Sequence, residues 1–302
     1  MRTEVGHFFK NPDMKTYNQP LKPAISIQDQ IALLRKRGMI IDNVARAEEF
    51  LASNQYYRLN IYFHKLMDER DHYPYGTSFH QLMSIYANDS WLRNRILTLL
   101  EPIEIRMRTQ ISYYLGINYG SDAFYQTQLS KKDVYRQQIM DSFRKEVARN
   151  SNDSVIRHHN LNYASRYPIW VVIEYLSFNT LSKYYSNLRE TDKKQIARLS
   201  YQINDYFLGN WLHVLSVLRN ICAHYGYLYD REYTLRPKLL KEFNWNPTKN
   251  NHLFALCLIM RRLSDRKTWN NFIYTIAERE KTNPAFQLLN YGFPENWGLY
   301  LT

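Results

Sequence analysis

The chain has 302 residues, of which 45% are hydrophobic, so it can bury a substantial core and is not a disordered protein. Its longest apolar runs, residues 169–173 and 253–260, fall far below the roughly 20 residues that a membrane-spanning helix needs, and its first residues contain no apolar signal region. Forty Lys and Arg against 28 Asp and Glu give a formal charge of +12 and a pI near 9.5, as expected of a protein that meets a polyanion such as RNA, DNA or an anionic membrane.

The chain contains only two cysteines, Cys222 and Cys257, and they form no C-x-x-C pair. A disulfide scaffold is therefore not expected, which fits the reducing cytoplasm. The sequence also lacks a G-x-x-x-x-G-K-S/T phosphate loop, a His/Cys spacing typical of metal sites and a G-x-S-x-G elbow. We therefore expect no metal and no cofactor, and no ATP hydrolysis, zinc chemistry or esterase activity.

The first part of the chain divides into an arm and a small helical unit. Residues 1–24 contain three prolines and show no hydrophobic period, which indicates an arm. Residues 25–76 predict a unit of three helices packed on the core. Its first helix is capped by Ser26, with Asp29 completing a near relative of a capping box, and Gly38 ends it. The other two helices are expected at about residues 44–51 and 56–67.

A long helix is expected next. Thr77 or Ser78 caps it, and its apolar pattern continues to Gly116 or nearby. Pro102 lies inside this pattern and lacks a backbone donor, so we expect a kink or a break near residues 98–100.

Glu104 and Arg108 lie four residues apart on this helix and can form an ion pair. An ordinary pair on the helix surface is one interpretation. A role in a neighbouring cleft is the other.

A strongly polar helix is predicted over residues 131–149, capped by Ser130, with a loop at residues 150–153. The neighbouring His158 and His159 suggest a metal pair at first sight. Adjacent residues on a helix point about 100° apart, however, and no Cys or carboxylate cluster completes a site. We therefore expect two solvent-exposed loop histidines.

Pro168 starts a helix predicted over residues 169–188, with Glu174 on or near its apolar stripe. A carboxylate there is costly unless a cation pairs with it, so a structural partner is favoured over a catalytic role. Further helices are expected at about residues 192–201, 251–263 and 267–280, and the second of these carries Arg261 and Arg262. No segment alternates convincingly as a strand, so the fold class is all-α.

Between these segments, Asp205 begins a helix with two contrasting faces. Apolar residues give it a buried face, and a polar line runs along another face through His213, Ser216, Asn220 and His224. A polar line on an otherwise apolar helix usually marks a cleft. The context favours a functional role for His224 and a structural one for His213.

The end of this helix brings Arg219, Asn220 and His224 together. Asn220 and His224 lie one helical turn apart on the same face, with Arg219 at its edge. An arginine offers a fork of donors that fits a phosphate, and a histidine gains and loses a proton near neutral pH. In metal-independent RNA cleavage His224 fits proton transfer and Arg219 fits charge stabilisation, while Asn220 would hold the imidazole or the substrate.

The Arg-Asn-x-x-x-His spacing resembles the R-X4-H motif of HEPN-domain ribonucleases, and other stretches narrow the resemblance to the AbiD/AbiF type of bacterial abortive-infection protein. These stretches are YYRL at 56–59, YGTSF at 75–79, IEIRMRTQISYYLG at 103–116, PIWVVIEYLSFNTLSKYYSNL at 168–188, RNICAH at 219–224 and GFPENW at 292–297. They follow the same order over about residues 26–297, which is far more specific than one short motif. Asn179 departs from the pattern, where a glycine is expected.

The resemblance implies an all-α, multi-helix HEPN-type bundle over residues 77–302, with residues 25–76 as an N-terminal helical extension. It implies an endoribonuclease of an anti-phage abortive-infection or toxin–antitoxin system. It also implies a homodimer, in which two copies of Arg219 and His224 face each other across one cleft. A cognate structured non-coding RNA is the implied antitoxin.

The resemblance further implies that the helix of Glu104 and Arg108 packs beside the motif helix, so that Glu104 or Arg108 orients or charges the cleft. Glu174 is the other residue expected to support the site. Residues expected to contact RNA are Arg108, Tyr225, Arg231, Arg261 and Arg262.

Two other classes of function stay open. A non-catalytic RNA-binding module would use the same basic and aromatic surface. A nucleotidyl- or phosphate-binding regulator would bind a partner enzyme and cleave no RNA. The 26 tyrosines do not decide between these classes: they could stack unpaired bases, but a half-buried helix position with the hydroxyl in water is the favoured interpretation for any one of them.

Overall fold

The computed structural model describes residues 23–246 and 249–302, and over these ranges the chain is built from helices without a β-strand. The α-helices are α1 (Ile27–Lys36), α2 (Val44–Ser53), α3 (Tyr56–Lys65), α4 (Phe79–Tyr119), α5 (Asp133–Arg149), α6 (Ser154–Asn162), α7 (Ile169–Tyr175), α8 (Phe178–Asn187), α9 (Glu190–Tyr201), α10 (Asp205–Ala223), α11 (Leu253–Leu263), α12 (Arg266–Thr282) and α13 (Gly298–Leu301). The predicted all-α class is confirmed. The arm predicted for residues 1–24 lies, except for its last two residues, outside the described part of the chain. None of the helices in the described part is long and apolar enough to cross a membrane.

The first three helices form a small unit against the first turns of α4. The predicted cap of α1 is confirmed: the Ser26 hydroxyl accepts a hydrogen bond from the Asp29 N–H at 3.1 Å, and the Asp29 carboxylate accepts one from the Ser26 N–H at 3.3 Å. Gly38, with φ +94°, follows the helix end as predicted. Leu59 and Leu82 belong to one buried hydrophobic cluster, so this unit and the main body share α4.

The long helix α4 has 41 residues and a length of about 60 Å. The predicted break near Pro102 does not form, because the helix continues on both sides of it. The buried residues Leu99 and Ile103 anchor both sides in the main core, although one backbone donor is missing. The helix ends at Tyr119, three residues beyond Gly116 and before Gly120, which has φ +87°. Gly116 faces the start of α7, where a Cβ would make ordinary van der Waals contacts.

The single helix predicted over residues 169–188 is two helices, α7 and α8. Ser177 leaves the helical conformation, with ψ 157°, and its hydroxyl accepts a hydrogen bond from the Thr180 N–H at 3.1 Å, which caps a new helix. Leu176 and Leu181 are both buried. The apolar stripe therefore continues across the break, and the pattern alone indicated one helix.

Two neighbouring segments also differ from the sequence prediction. The helix α5 begins at Asp133 and not directly after Ser130, and the predicted loop at residues 150–153 is confirmed. The expectation that His158 and His159 lie in a loop is wrong, because they lie on α6. The last residue of the preceding loop caps that helix with its carboxylate.

The motif helix α10 lies at the centre of the main core, packed against α4, α8 and α9. Its residues Trp211, Leu212 and Leu215 have no exposed surface. Burial of each such side chain contributes about 1.5–3 kcal/mol of stabilisation. The core therefore fixes the position of the last turn of α10, which reaches the surface.

Candidate active site

The last turn of the motif helix carries the residues singled out in the sequence. The sequence predicted that His224 lies inside this helix. Helix α10 ends at Ala223, however, so His224 lies one residue past it. The His224 N–H still donates to the Asn220 carbonyl at 2.9 Å, which keeps the two residues one turn apart. Arg219 and Asn220 are half-buried, and His224 is exposed.

Arg219 points toward α4, where it meets Glu104. Its Nε lies 3.9 Å from one Glu104 carboxylate oxygen, and the other oxygen accepts a hydrogen bond from Arg108. The Glu104 side chain is 14% exposed and that of Arg219 is 39% exposed. One shielded carboxylate therefore lies between two guanidinium groups, which offsets the cost of its burial. The predicted pair of Glu104 and Arg108 is confirmed.

Arg108 also connects α4 to α7. Its guanidinium donates to the carbonyl of Ile173 and, at 3.4 Å, to that of Glu174. Carbonyls in the last turn of a helix have no partner within the helix, and a cation there is favourable. Arg108 is 11% exposed, so much of its capacity for hydrogen bonds is used within the protein.

Glu174 differs from its prediction. Its side chain is exposed and forms no ion pair with any described residue, so the expected cation partner on an apolar stripe is not found. It lines, with Arg219, Glu104, Arg108 and Ile105, a cleft of about 670 Å³ between α4, α7 and α10. We call this the Arg219 cleft. Its other charged lining residues are Arg95 and Glu101.

The Arg219 cleft mixes three arginines with three glutamates. An arginine offers a fork of donors that fits a phosphate, and Glu104 faces the Arg219 guanidinium in this cleft. Asn220 and His224 do not line it. Within one chain the structure therefore brings Arg219, Glu104, Arg108 and Glu174 together and leaves the histidine outside.

A tight turn follows the motif helix. Tyr225 has φ +60°, a left-handed conformation that is unfavourable for a side chain of this size, and it is 65% exposed. The Arg58 guanidinium lies 5.3 Å from the centre of the Tyr225 ring. A Cβ on Gly226 would lie 3.0 Å from the Ile221 side chain, so only glycine fits there without a shift. His224 and Tyr225 thus project from a turn of fixed shape.

A buried group on α4 holds the continuation of this turn, and the sequence analysis missed it. The Asp89 carboxylate accepts hydrogen bonds from the N–H groups of Leu228 and Tyr229 at 2.9–3.1 Å, from the Tyr62 hydroxyl at 2.5 Å and from Arg93 at 2.8 Å. Burial raises the pKa of Asp89, and these four donors oppose that rise. We call this set the Asp89 cluster.

One feature of the sequence could have predicted the Asp89 cluster. Asp89 and Arg93 are four residues apart on the same stripe as Ile85, Leu92 and Ile96, where only apolar residues are expected. Arg93 also donates to the carbonyl of Gly226 at 3.3 Å. A charged pair on a buried stripe therefore identifies the residues that position the turn after His224.

The remaining residues predicted to contact RNA lie outside the lining of the Arg219 cleft. Arg231 stacks over the rings of Tyr227 and Tyr233, with its guanidinium 4.5 Å and 5.6 Å from their centres. Arg261 donates to the carbonyls of Tyr300 and Thr302 at the end of the chain.

Arg262, next along the same helix, donates to the Tyr201 carbonyl at 3.1 Å and lies 3.7 Å from Glu242. These arginines therefore bind other parts of the protein, and their expected contact with RNA stays a prediction.

The comparisons with known proteins give one family. Neither the curated proteins nor the solved structures gave a match. The family model described as Abi-like protein matches residues 49–230, which is more than half of the chain and extends from α2 through the motif helix to the turn that follows it. The chain therefore belongs to the Abi-like protein family.

Proposed function

We propose that the protein is a metal-independent endoribonuclease of a bacterial abortive-infection or toxin–antitoxin system, of the HEPN type, and that two copies complete its active site. The observation that carries the proposal is the position of Arg219, which faces Glu104 in an open cleft, five residues before the exposed His224 at the end of the same helix. The family supports the abortive-infection role.

The chemistry follows from the groups available. The 2′-hydroxyl of RNA loses its proton and attacks the adjacent phosphorus, the bond to the 5′-oxygen breaks, and that oxygen takes up a proton. The products carry a 2′,3′-cyclic phosphate and a 5′-hydroxyl. His224 transfers a proton, Arg219 stabilises the charge on the phosphorus oxygens, and Asn220 orients the imidazole or the substrate.

Glu104 acts as a positioning residue in this proposal. Its carboxylate faces Arg219 at 3.9 Å and is itself anchored by Arg108, which is tied to α7. The chain of contacts from α7 to Arg219 limits the movement of the guanidinium, which favours a fixed geometry toward the phosphate.

The need for a second copy rests on where the acid and the base come from. One turnover needs both groups, and each chain offers His224 as the single candidate next to Arg219 in the sequence. His224 also does not line the Arg219 cleft of its own chain. A two-fold arrangement that joins the two clefts into one would bring two copies of His224 together, one as the acid and one as the base.

A test of the proposed function uses purified protein and single-stranded RNA in EDTA. We expect cleavage with 2′,3′-cyclic phosphate ends, and both Arg219→Ala and His224→Ala should lower the rate by about 10²–10⁴-fold. The exposed residues Arg144 and His80 provide matched controls, so Arg144→Ala and His80→Ala should keep the rate. Cleavage that needs Mg²⁺ and leaves 5′-phosphates would overturn the mechanism.

One observation favours a second candidate, a non-catalytic RNA-binding or regulatory protein. Among the described residues of a single chain, no histidine lines the Arg219 cleft, and the whole chain carries a charge of +12. Such a protein would bind RNA, including a cognate structured non-coding RNA, with an affinity that falls steeply with salt. It would show the same toxicity in bacteria with or without His224→Ala, whereas the ribonuclease loses its toxicity.

A further inference from the structure

A second cleft of about 680 Å³ lies where the end of α6 meets the start of α7, and it shares no lining residue with the Arg219 cleft. Its lining is mainly aromatic and cationic: His158, His159, Tyr163, Arg166, Tyr167 and Trp170. The two histidines were expected to be solvent-exposed loop residues without a role. We call this the aromatic cleft.

The rings of this cleft form an ordered stack. The His159 ring stacks on the Tyr167 ring, with 5.3 Å between centres and 24° between planes. The Tyr163 ring also contacts the His159 ring, with 5.4 Å between centres and 34° between planes. Tyr163 is still 55% exposed, and Trp170, which also lines the cleft, is 52% exposed. Two large rings therefore present free surface to one open cleft.

The loop that carries these rings is held in a strained shape. Ala164 and Ser165 are consecutive non-glycine residues with φ +48° and +58°. The Ser165 N–H donates to the His159 carbonyl at 3.2 Å, and the Arg166 N–H donates to that of Tyr163 at 2.9 Å. These backbone hydrogen bonds offset the strain, and they hold the loop that carries Tyr163 and Arg166 in one shape.

The two histidines offer complementary groups for hydrogen bonding. The Nδ1 of His159 lies 2.9 Å from the Val155 carbonyl and must donate to it, so its Nε2 is an acceptor when the ring is neutral. The Nδ1 of His158 accepts from the Asn162 side-chain amide at 3.2 Å, so its Nε2 is a donor. The cleft therefore offers one donor and one acceptor, on rings whose centres lie 5.3 Å apart and whose planes differ by 83°.

Arg166 adds positive charge at the rim. Its guanidinium lies 5.6 Å from the Tyr125 ring centre and 3.8 Å from Asp122, and 67% of the side chain is exposed. An exposed pair at this distance is weak, so the guanidinium is available to a phosphate.

The aromatic cleft and the Arg219 cleft lie along the same pair of helices. Near Arg108, α4 contacts the end of α7, and at Gly116 it contacts the start of α7, so the two helices run antiparallel. Trp170 lines one cleft and Glu174 lines the other, and these residues are one turn apart on α7, about 6 Å along its axis. A strand held at one cleft thus passes close to the other.

We propose that the aromatic cleft binds unpaired nucleobases of single-stranded RNA by stacking on Tyr163 and Trp170, with Arg166 on an adjacent phosphate, and that it holds the strand that enters the Arg219 cleft. The inference rests on the proposed function in that RNA is the ligand, but base stacking needs no cleavage. Aromatic rings that stack bases beside a cation are the usual means by which proteins hold single strands.

The experiment measures binding of a short RNA with 2′-O-methyl groups, which cannot be cleaved through its 2′-hydroxyls, by fluorescence anisotropy in EDTA. We expect Tyr163→Ala and Trp170→Leu each to weaken binding by between about 5-fold and about 100-fold. Tyr163→Phe keeps the ring and should bind within about twofold of the wild type on the same basis. Tyr274 on α12 is 66% exposed, so Tyr274→Ala is the matched control and should also stay within that range.

The salt dependence separates stacking from charge. Tyr163→Ala should lower the affinity at every salt concentration without changing the slope against salt, whereas Arg166→Gln should reduce that slope by about one phosphate contact. Thermal unfolding of each variant confirms that it is folded.

Three outcomes would overturn the proposal: both ring truncations bind within twofold of the wild type, Tyr163→Phe loses as much affinity as Tyr163→Ala, or uridine monophosphate binds as tightly as the oligonucleotide. The last outcome would assign the cleft to a free nucleotide. Because the RNA in this assay is not cleaved, a protein with no ribonuclease activity can still show the expected losses, and the two proposals fail separately.

Discussion

The long helix α4 carries two carboxylate–arginine pairs at the same four-residue spacing, and their surroundings differ. Asp89 and Arg93 have side-chain exposures of 0% and 4%, and backbone N–H groups occupy the rest of the carboxylate. Glu104 and Arg108 are 14% and 11% exposed, and the carboxylate also faces Arg219 in an open cleft. Spacing predicts that a pair can form. The other hydrogen-bond donors around the carboxylate and its access to solvent decide whether such a pair is structural, as at Asp89, or part of a candidate site, as at Glu104.

The largest expected effect comes from removing the buried carboxylate. Asp89→Ala leaves Arg93 buried without its partner and leaves the N–H groups of Leu228 and Tyr229 without an acceptor. We expect the free energy of unfolding to fall by about 3–5 kcal/mol. Urea unfolding followed by circular dichroism measures this loss.

An exposed pair of the same kind is the control. Asp141 and Arg144 are 58% and 64% exposed, so Asp141→Ala should change the free energy of unfolding by about 0.5 kcal/mol or less. If Asp89→Ala is too unstable to purify, replacing Asp89 and Arg93 together by leucine removes both charges and should recover part of the loss. A loss of about 1 kcal/mol or less for Asp89→Ala would show that the cluster does not hold the turn.

The pair of Glu104 and Arg108 lies at the open Arg219 cleft, so its removal should affect catalysis more than stability. Glu104→Gln keeps an oxygen toward Arg108 but removes the charge that faces Arg219, so we expect a smaller loss of stability than for Asp89→Ala, about 1–3 kcal/mol. If Glu104 positions Arg219 for RNA cleavage, kcat should fall by about 10²-fold while KM changes little, because a displaced guanidinium loses its contact in the transition state.

Glu101 provides the matched control for this prediction. It lines the same cleft and forms no ion pair with any described residue, so Glu101→Gln should leave kcat near the wild-type value. An equal fall in kcat for both variants would mean that the cleft responds to its total charge and not to the contact between Glu104 and Arg219.

Local signals in the sequence predicted much of the helical framework. The Ser26 cap and the Ser78 cap act within three residues, so the chain itself contains the whole motif. Ser177 is also a local cap, but the apolar stripe on either side of it hid the break between α7 and α8. The end of α10 was missed although Gly226 lies just beyond His224, because a polar line suggested one more helical residue.

Contacts between distant segments could not be predicted in the same way. The partners of Asp89 come from Tyr62 and from Leu228 and Tyr229, and no spacing along the chain relates these residues. The pair of Glu104 and Arg108 was predictable because both residues lie on one helix. The approach of Arg219 to that pair was expected only from the family resemblance.

The smallest expected effect, about tenfold, comes from a test of whether the active site at the Arg219 cleft is formed by one chain or by two. Suppose that nine His224→Ala chains are mixed with each wild-type chain and that subunits exchange freely. About one wild-type chain in ten then pairs with another wild-type chain, so a composite site that needs two copies of His224 loses about tenfold of its activity per wild-type chain. Independent sites predict no loss, because each wild-type chain keeps its own histidine. Mass spectrometry of isotope-labelled chains verifies the exchange, and dilution with Arg144→Ala chains, which keep their activity, controls for the added protein. Activity per wild-type chain that stays constant through such a titration would rule out a shared cleft that needs two copies of His224.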